Sequence, residues 1–432
     1  MRHFPRRYIM KPVLFDDLVS LCAELATNEN KLLPLCAAEN VISPFSKIPL
    51  DTFLQEKYIM GGVMNYQQES NFVGSKNLYK IYELLSLQCN KLYGCKYADA
   101  RTLSGVNAVM TLLMSLFSSG DTILISSEEC GGHGSMPKIC QRLGINTIEL
   151  PYNYDIYDFN YKEINEILRK EKINGILICL SDIIIMPQLN KIDLPEECVL
   201  IFDATQILGL IATNSITNPL QWFTDKQKFI LMGATHKTLP GPTCGLIMTN
   251  NLDLANQFDT LINPDYLRNS QLHHIFSLIL TLMELEIYGK QYSSSIVNNA
   301  NFLAAALAKY KFDIIKVAPK YTYTHQIFIS MQEYDARKFY NKCLDYGVSI
   351  NLRNKELYKT CGLRIGTQEI SRYGWTEKEM SDISEILRDI RDNEYFSQDI
   401  SNRINIISSN KKICYTFDGN YYDMLYTKLH YS

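Results

Sequence analysis

One lysine stands in the string Gly233-Ala-Thr-His-Lys-Thr-Leu-Pro-Gly-Pro, directly after an apolar run and among small residues and turn formers. Held there with little water around it, Lys237 would have its neutral amine favoured, and a neutral amine can form a Schiff base with a carbonyl. The plain alternative is a surface lysine in a Gly-Pro turn. A second string, Val199-Leu-Ile-Phe-Asp-Ala-Thr-Gln, ends a strand-like run in Asp203. A carboxylate there suits a protonated ring nitrogen, as pyridoxal phosphate presents, or equally a helix N-cap. Leu103-Ser-Gly-Val-Asn-Ala leads into a helix-like stretch, so Ser104, Gly105 and the N–H groups that follow form either a phosphate cradle or a simple cap. Cys130-Gly-Gly-His-Gly-Ser offers one imidazole, His133, to lie against a flat cofactor or to sit unused in a loop. In Gly362-Leu-Arg-Ile-Gly-Thr the fork of Arg364 matches a carboxylate, of a substrate or of a structural ion pair.

These residues need elements to hold them. Between about residues 100 and 250, apolar runs at Thr122–Ser126, Ile176–Leu180, Val199–Asp203, Phe229–Met232 and Gly245–Met248 alternate with amphipathic stretches such as Val106–Phe117 and Tyr161–Glu171. That alternation predicts a mostly parallel sheet covered on both faces, with ligands beyond the carboxyl ends of its strands. A long helix is expected over Leu272–Lys311, then strands at Gln326–Ser330 and Gly347–Asn351 and a helix over Glu377–Asp392. The resulting map is an N-terminal arm (1–37), a large α/β domain (38–270), a connecting helical region (271–312) and a smaller C-terminal α+β domain (313–432). The last forty residues, polar and rich in tyrosine, read as a peripheral appendage.

Composition narrows the function classes. The chain of 432 residues carries 43 basic and 46 acidic side chains, a net charge of -3, so no global field favours nucleic acid or an anionic membrane. Arg2, Arg6, Arg7 and Lys11 are not followed by an apolar segment of the secretory kind, and Ile275–Met283 ends at Glu284 and Glu286, too short to span a bilayer. A cytoplasmic protein is expected. The twelve cysteines form no CxxC pair and the seven histidines no HExxH, so buried free thiols and no metal are expected.

Taken together, from about Ala38-Glu-Asn40 to Arg372-Tyr-Gly374, the sequence resembles serine hydroxymethyltransferase and its relatives, pyridoxal-phosphate enzymes of fold type I. Thr-His-Lys-Thr-Leu-x-Gly-Pro and Gly-Leu-Arg-Ile-Gly-Thr are the most specific parts of the likeness. The resemblance implies Lys237 as the Schiff-base lysine, Asp203 as the partner of the ring nitrogen, His133 stacked on the ring, and Ser104 and Gly105 at the phosphate. It puts Ser181 near the phenolic oxygen, Gln206 and Thr235 in the cofactor site, and the substrate carboxylate on Arg364. Tyr58 matches a tyrosine that reaches the neighbouring subunit's site, which implies a homodimer, with a tetramer also open.

The departures bear on the reaction. Hydroxymethyltransferases carry a Tyr-x-Glu whose glutamate handles protons in folate-dependent transfer; here the stretch is Tyr58-Ile-Met60, and a thioether cannot move that proton. Glu69 is the nearest downstream carboxylate. Asp203-Ala-Thr-Gln206 ends in an amide where the family has histidine, Gly241-Pro-Thr-Cys-Gly245 replaces Gly-Pro-Arg-Gly-Gly, and Asn263-Pro-Asp-Tyr-Leu-Arg-Asn replaces a glycine-rich loop. Several features, Lys237-Thr-Leu-Pro-Gly-Pro and Tyr323-Thr-His-Gln326 among them, look like the threonine transaldolases. The expected reaction is therefore folate-independent cleavage of a β-hydroxy-α-amino acid such as L-threonine, with transfer of the glycine unit to an aldehyde. His133 and His236 are both positioned as the base for the β-hydroxyl. Folate-dependent hydroxymethyl transfer, another reaction on the same scaffold (decarboxylation, α-substitution, transamination) and a non-enzymatic binder are the alternatives.

Overall fold

The computed structural model describes residues 13–61, 63 and 73–430. Glu69 and the four N-terminal basic residues lie outside them. The apolar runs fold as one seven-stranded sheet: β1 Tyr97–Thr102, β2 Thr122–Ile125, β3 Asn146–Glu149, β4 Gly175–Cys179, β5 Val199–Asp203, β6 Phe229–His236 and β7 Pro240–Thr249. Their order is β1-β7-β6-β5-β4-β2-β3. The run from β6 to β3 is parallel, and β7 is antiparallel to both of its neighbours. Every residue of β4 and β5 is buried, as strands covered on both faces must be. Ile230 and Met232 of β6 face a cluster with Val109 and Leu112 of the helix α2 (Gly105–Leu116), whereas Phe229 and Leu231 face Ile275 and Leu278 of the helix α3 (Leu272–Lys309). A period of two thus divides one strand between two cores.

At 38 residues, α3 runs through both halves of the molecule. Its Leu272–Ile296 part joins the core of the large sheet, and Ala300, Leu303 and Leu307 join a second core under a four-stranded antiparallel sheet. That sheet has β8 Asp313–Ile314, β9 Gln326–Ser330, β10 Asn351–Arg353 and β11 Gly362–Gly366 in the order β8-β9-β11-β10. The helix α4 (Glu377–Asp392) starts with a capping box between Thr376 and Glu379 and packs on α3.

Two local expectations are corrected. The single strand expected over Gly347–Asn351 is split: Val348–Ser349 pairs in parallel with Leu33–Pro34, while Asn351–Arg353 pairs with β11. The N-terminal segment takes the first half, and the second half is left to align Asn351 opposite Arg364. The tyrosine-rich tail is also no appendage. Phe417 and the helix α5 (Asn420–His430), through Tyr422, Leu425, Tyr426 and Leu429, cover Phe45, Ile48 and Leu280. Ahead of α5, the Thr416 hydroxyl bonds Glu284, a buried carboxylate that also takes Arg372 at 2.8 Å and the Ser43 hydroxyl at 2.8 Å. The tyrosines supply an apolar ring with a polar end, so they can cover a core while their hydroxyls stay near water. Among the described residues, no helix is long and apolar enough to cross a membrane. All twelve cysteines are free, and ten are buried.

Candidate active site

Asp203 is the last residue of β5, and only 8% of it is exposed. Its Oδ1 accepts the Thr205 N–H at 2.9 Å, and its Oδ2 takes the Cys179 thiol at 3.0 Å. Cys179 sits beside it because the two are register partners on adjacent parallel strands. One strand further on, Lys237 follows the end of β6. Burial, and next the Arg364 charge, push its ammonium down to about 8, with Asp203 pulling the other way. About a tenth of Lys237 is therefore uncharged at pH 7, some hundreds of times more than for an ordinary lysine, which is what a nucleophilic amine needs. The backbone around it is tied down: the Asn40 amide donates to the Lys237 carbonyl and, at 2.8 Å, to the Tyr292 hydroxyl, which donates to the Gln368 carbonyl at 2.9 Å.

The residues next to the lysine divide by role. Thr235 is fully buried, and its hydroxyl bonds the Pro242 carbonyl and accepts the Cys244 N–H at 3.2 Å, closing the β6–β7 hairpin. Thr238 donates to the Gln206 carbonyl at 2.9 Å. Among the described residues, nothing bonds the buried Nδ1 of His236, and burial, with Lys237 adding to it, holds the pKa of the ring down to about 4. His133 follows a tight turn in which Gly131 has φ 97° and a Cβ would lie 2.6 Å from the Asp182 carbonyl. The His133 N–H donates to the Cys179 carbonyl at 2.9 Å, so the ring is held beside the ends of β4 and β5. Its Nδ1 accepts the Ser135 N–H at 3.2 Å, which leaves the neutral ring's proton on Nε2. Burial lowers its pKa, and the Asp203 charge partly restores it.

Ser104 caps α2, its Oγ accepting the Asn107 N–H at 3.2 Å. A Cβ on Gly105 would stand 2.9 Å from the Ala234 Cβ and 3.4 Å from the Thr205 hydroxyl. Glycine is what lets the N-terminus of α2 close on the strand ends that carry Asp203 and Lys237. Its free N–H groups make an anion site next to the lysine.

From the other side comes the small sheet. Arg364, on β11, donates through Nη1 to the Ser181 carbonyl at 2.5 Å and to Asp182 Oδ1 at 3.2 Å, and through Nε and Nη2 to Asn351 Oδ1 at 3.2 and 2.9 Å. Gln326 links the two halves, donating to the Ser181 carbonyl at 3.1 Å and to Gln206 Oε1 at 3.0 Å and accepting the Ile183 N–H at 2.8 Å. Gln206 is thereby occupied by a side-chain amide. Asp182 is fully buried and takes Arg364, Arg353 at 3.0 Å, Lys355 at 2.9 Å and the Tyr358 hydroxyl at 3.0 Å. Burial alone would raise its pKa; Arg364, Lys355 and Arg353 outweigh it and hold the carboxyl below the ordinary range.

Lys237, Asp203, His133, Ser104, Gly105, Ser181, Gln206 and Arg364 are thus gathered around one set of strand ends. Tyr58 is 42% exposed, on a segment that Asn269 holds by accepting the Ile59 N–H at 2.9 Å. The sequence reading missed Asp182, Asn351, Gln326 and Asn40 as parts of the site. Of these, Asn40 and Gln326 lay in motifs already noted, at the start of the resemblance and in Tyr323-Thr-His-Gln326, and Asn351 closed an expected strand; Asp182 lay in none.

The donor set fits pyridoxal phosphate: a depressed lysine for its aldehyde, a buried carboxylate for its ring nitrogen and a glycine-opened helix N-terminus for its phosphate. Comparison with known proteins agrees. The sequence profile described as serine hydroxymethyltransferase matches residues 16–387. The chain is 28% identical over 366 residues to a serine hydroxymethyltransferase of Pyrobaculum calidifontis, covering 82% of this chain and 83% of the relative. It is 29% identical over 390 residues to that of Metallosphaera sedula, covering 85% and 87%. Among solved structures, the L-threonine transaldolase of Pseudomonas fluorescens, in its internal aldimine state, superposes with a TM-score of 0.88 at 21% identity, over 96% of this chain and 97% of that one. The fold is that of the type I pyridoxal-phosphate enzymes. With the profile spanning most of its length and a lysine, a carboxylate and an arginine meeting at the strand ends, the chain belongs to the serine hydroxymethyltransferase family and is a pyridoxal-phosphate enzyme of C–C bond cleavage and transfer.

Proposed function

We propose that this chain is a folate-independent aldolase or transaldolase, cleaving a β-hydroxy-α-amino acid of the L-threonine kind and passing its glycine unit to an aldehyde. Met60 carries this reading. It stands where the resemblance places the glutamate of folate-dependent transfer, and its thioether lies 3.8 Å from an Arg268 nitrogen. A thioether neither gives nor takes a proton. The L-threonine transaldolase fold match supports the same direction, while the hydroxymethyltransferase relatives keep the folate-dependent reaction as the second reading.

In this reading, Lys237 would hold the aldehyde carbon of the cofactor, and its depressed pKa favours the neutral amine that exchange with a substrate amino group requires. Arg364 takes the α-carboxylate on the Nη2 hydrogen not used by Asn351. Bound pyridoxal phosphate supplies an electron sink for the pair left when the Cα–Cβ bond breaks. Asp203, fixed by Thr205 and Cys179, would hold the ring nitrogen in its charged form. The β-hydroxyl proton passes to a neutral imidazole as the aldehyde departs, and burial keeps both His133 and His236 neutral for that task. A homodimer belongs to the same reading. The helix Phe15–Lys31 buries none of its residues and leaves Leu18, Leu21 and Leu25 about half exposed, and Tyr58 stands at the surface as a residue serving a second subunit must.

The test is L-threonine with cofactor-loaded protein and no folate. Acetaldehyde release, and incorporation of a second aldehyde into a new β-hydroxy amino acid, are expected. Conversion of L-serine to glycine only when tetrahydrofolate is added, with the one-carbon unit passing to the folate, would favour the second reading instead.

A further inference from the structure

The cluster on Asp182 carries more positive charge than it needs. Arg353, Lys355 and Arg364 surround a single buried carboxylate, which leaves two cations unmatched. Lys355 is 8% exposed and donates a second bond to the Gly132 carbonyl at 3.1 Å. Glu129 accepts the Glu356 N–H at 2.7 Å and Asp203 is held by Thr205 and Cys179, so neither bonds one of the three cations. A substrate α-carboxylate on Arg364 balances one of the two charges, and the other remains.

Arg353 is placed to hold the second anion. It lies two residues after Asn351 on β10, so both side chains leave the same face of the strand, and Asn351 touches Arg364 directly. Its guanidinium shares Asp182 Oδ1 with that of Arg364, the two nitrogens at 3.0 and 3.2 Å from the same oxygen. Only its Nε is used. Among the described residues, nothing accepts from its Nη1 or Nη2, and the side chain is 24% exposed. Such an edge, preset by a buried carboxylate and open to solvent, is a bidentate carboxylate receptor.

We infer that Arg353 binds a second carboxylate of the substrate, carried on the part that becomes the aldehyde. The pocket would then select acidic over neutral side chains. This rests on the amino-acid-binding reading above, with the α-carboxylate on Arg364, but not on the cleavage step. The test titrates cofactor-loaded enzyme with L-aspartate against L-asparagine and L-glutamate against L-glutamine, following the absorbance of the bound cofactor. At least one acid should bind about tenfold more tightly than its amide, the worth of one charge-assisted contact. Arg353→Met should bring that ratio towards one, and Arg353→Lys should keep part of it. General damage weakens both members of a pair and leaves the ratio standing. Ratios near one in the parent enzyme, no binding of either member of any pair, or a preference that survives Arg353→Met would each overturn the inference. Failure of the aldolase reading shows separately, as absent acetaldehyde release from L-threonine by the same preparation.

Discussion

The two halves of the site hold charge in opposite ways. At the end of the large sheet, one carboxylate faces one lysine, and the bonds that fix Asp203 come from a residue two positions away and from its register partner. In the clamp from the small sheet, one carboxylate faces three cations that lie 171 to 182 residues along the chain. The first arrangement leaves the lysine free to react. The second locks an arginine in place with charge left over. Reactivity and recognition thus draw on different parts of the fold, and each can be broken without the other.

The largest effect should come from Lys237→Ala. Amine exchange needs that nitrogen, so turnover should fall by about a thousandfold or more, and borohydride should no longer fix the cofactor to the chain. The clamp should survive, so amino acids should still perturb the bound cofactor. Turnover within tenfold of the parent enzyme would mean that another group forms the Schiff base.

Breaking the clamp should instead cost stability. Asp182→Asn leaves Arg364 and Lys355 buried without their counter-charge, and removing one partner of a buried pair typically costs about 3–5 kcal/mol. Urea unfolding should show this as a lower midpoint. Because its neighbours depress the Asp182 carboxyl, the stabilisation is present above the ordinary carboxylate range and is lost as pH falls through the depressed value. The gap between parent and variant should therefore close in acid. A gap of the same size at pH 7 and at pH 2 would show that the charge is not what the variant removes.

What could be read beforehand follows the same division. Strands β4, β5 and β6 announce themselves as apolar runs because both of their faces are covered, and Asp203 and Lys237 are conspicuous because they end those runs. Asp182 gave no such signal: it sits in a loop, and its partners arrive from another sheet. Arg364 was legible as an arginine in an apolar strand, but its partners were not, since the register that sets Asn351 opposite it depends on where Leu33 takes over the preceding segment. The tail misled because its apolar and aromatic side chains are scattered among polar ones and come together only where the chain packs on Phe45, Ile48 and Leu280.

The smallest effect joins the two halves. Lys237 is brought from a usual 10.5 down to about 8 by burial first and by the Arg364 charge second. Below pH 8 its neutral fraction falls tenfold per unit, so the rate at which the apoprotein forms an imine with pyridoxal phosphate should climb with that slope and level off near pH 8. An ordinary lysine would go on climbing to about 10.5. Arg364→Gln removes a positive neighbour, which favours the charged form and raises the amine's pKa, so the break should move to higher pH. It should stay below 10.5, because the larger cause, burial, remains. Stopped-flow absorbance between pH 6 and pH 10 on both proteins measures the shift, and an unmoved break would mean that the clamp orients substrate without tuning the nucleophile.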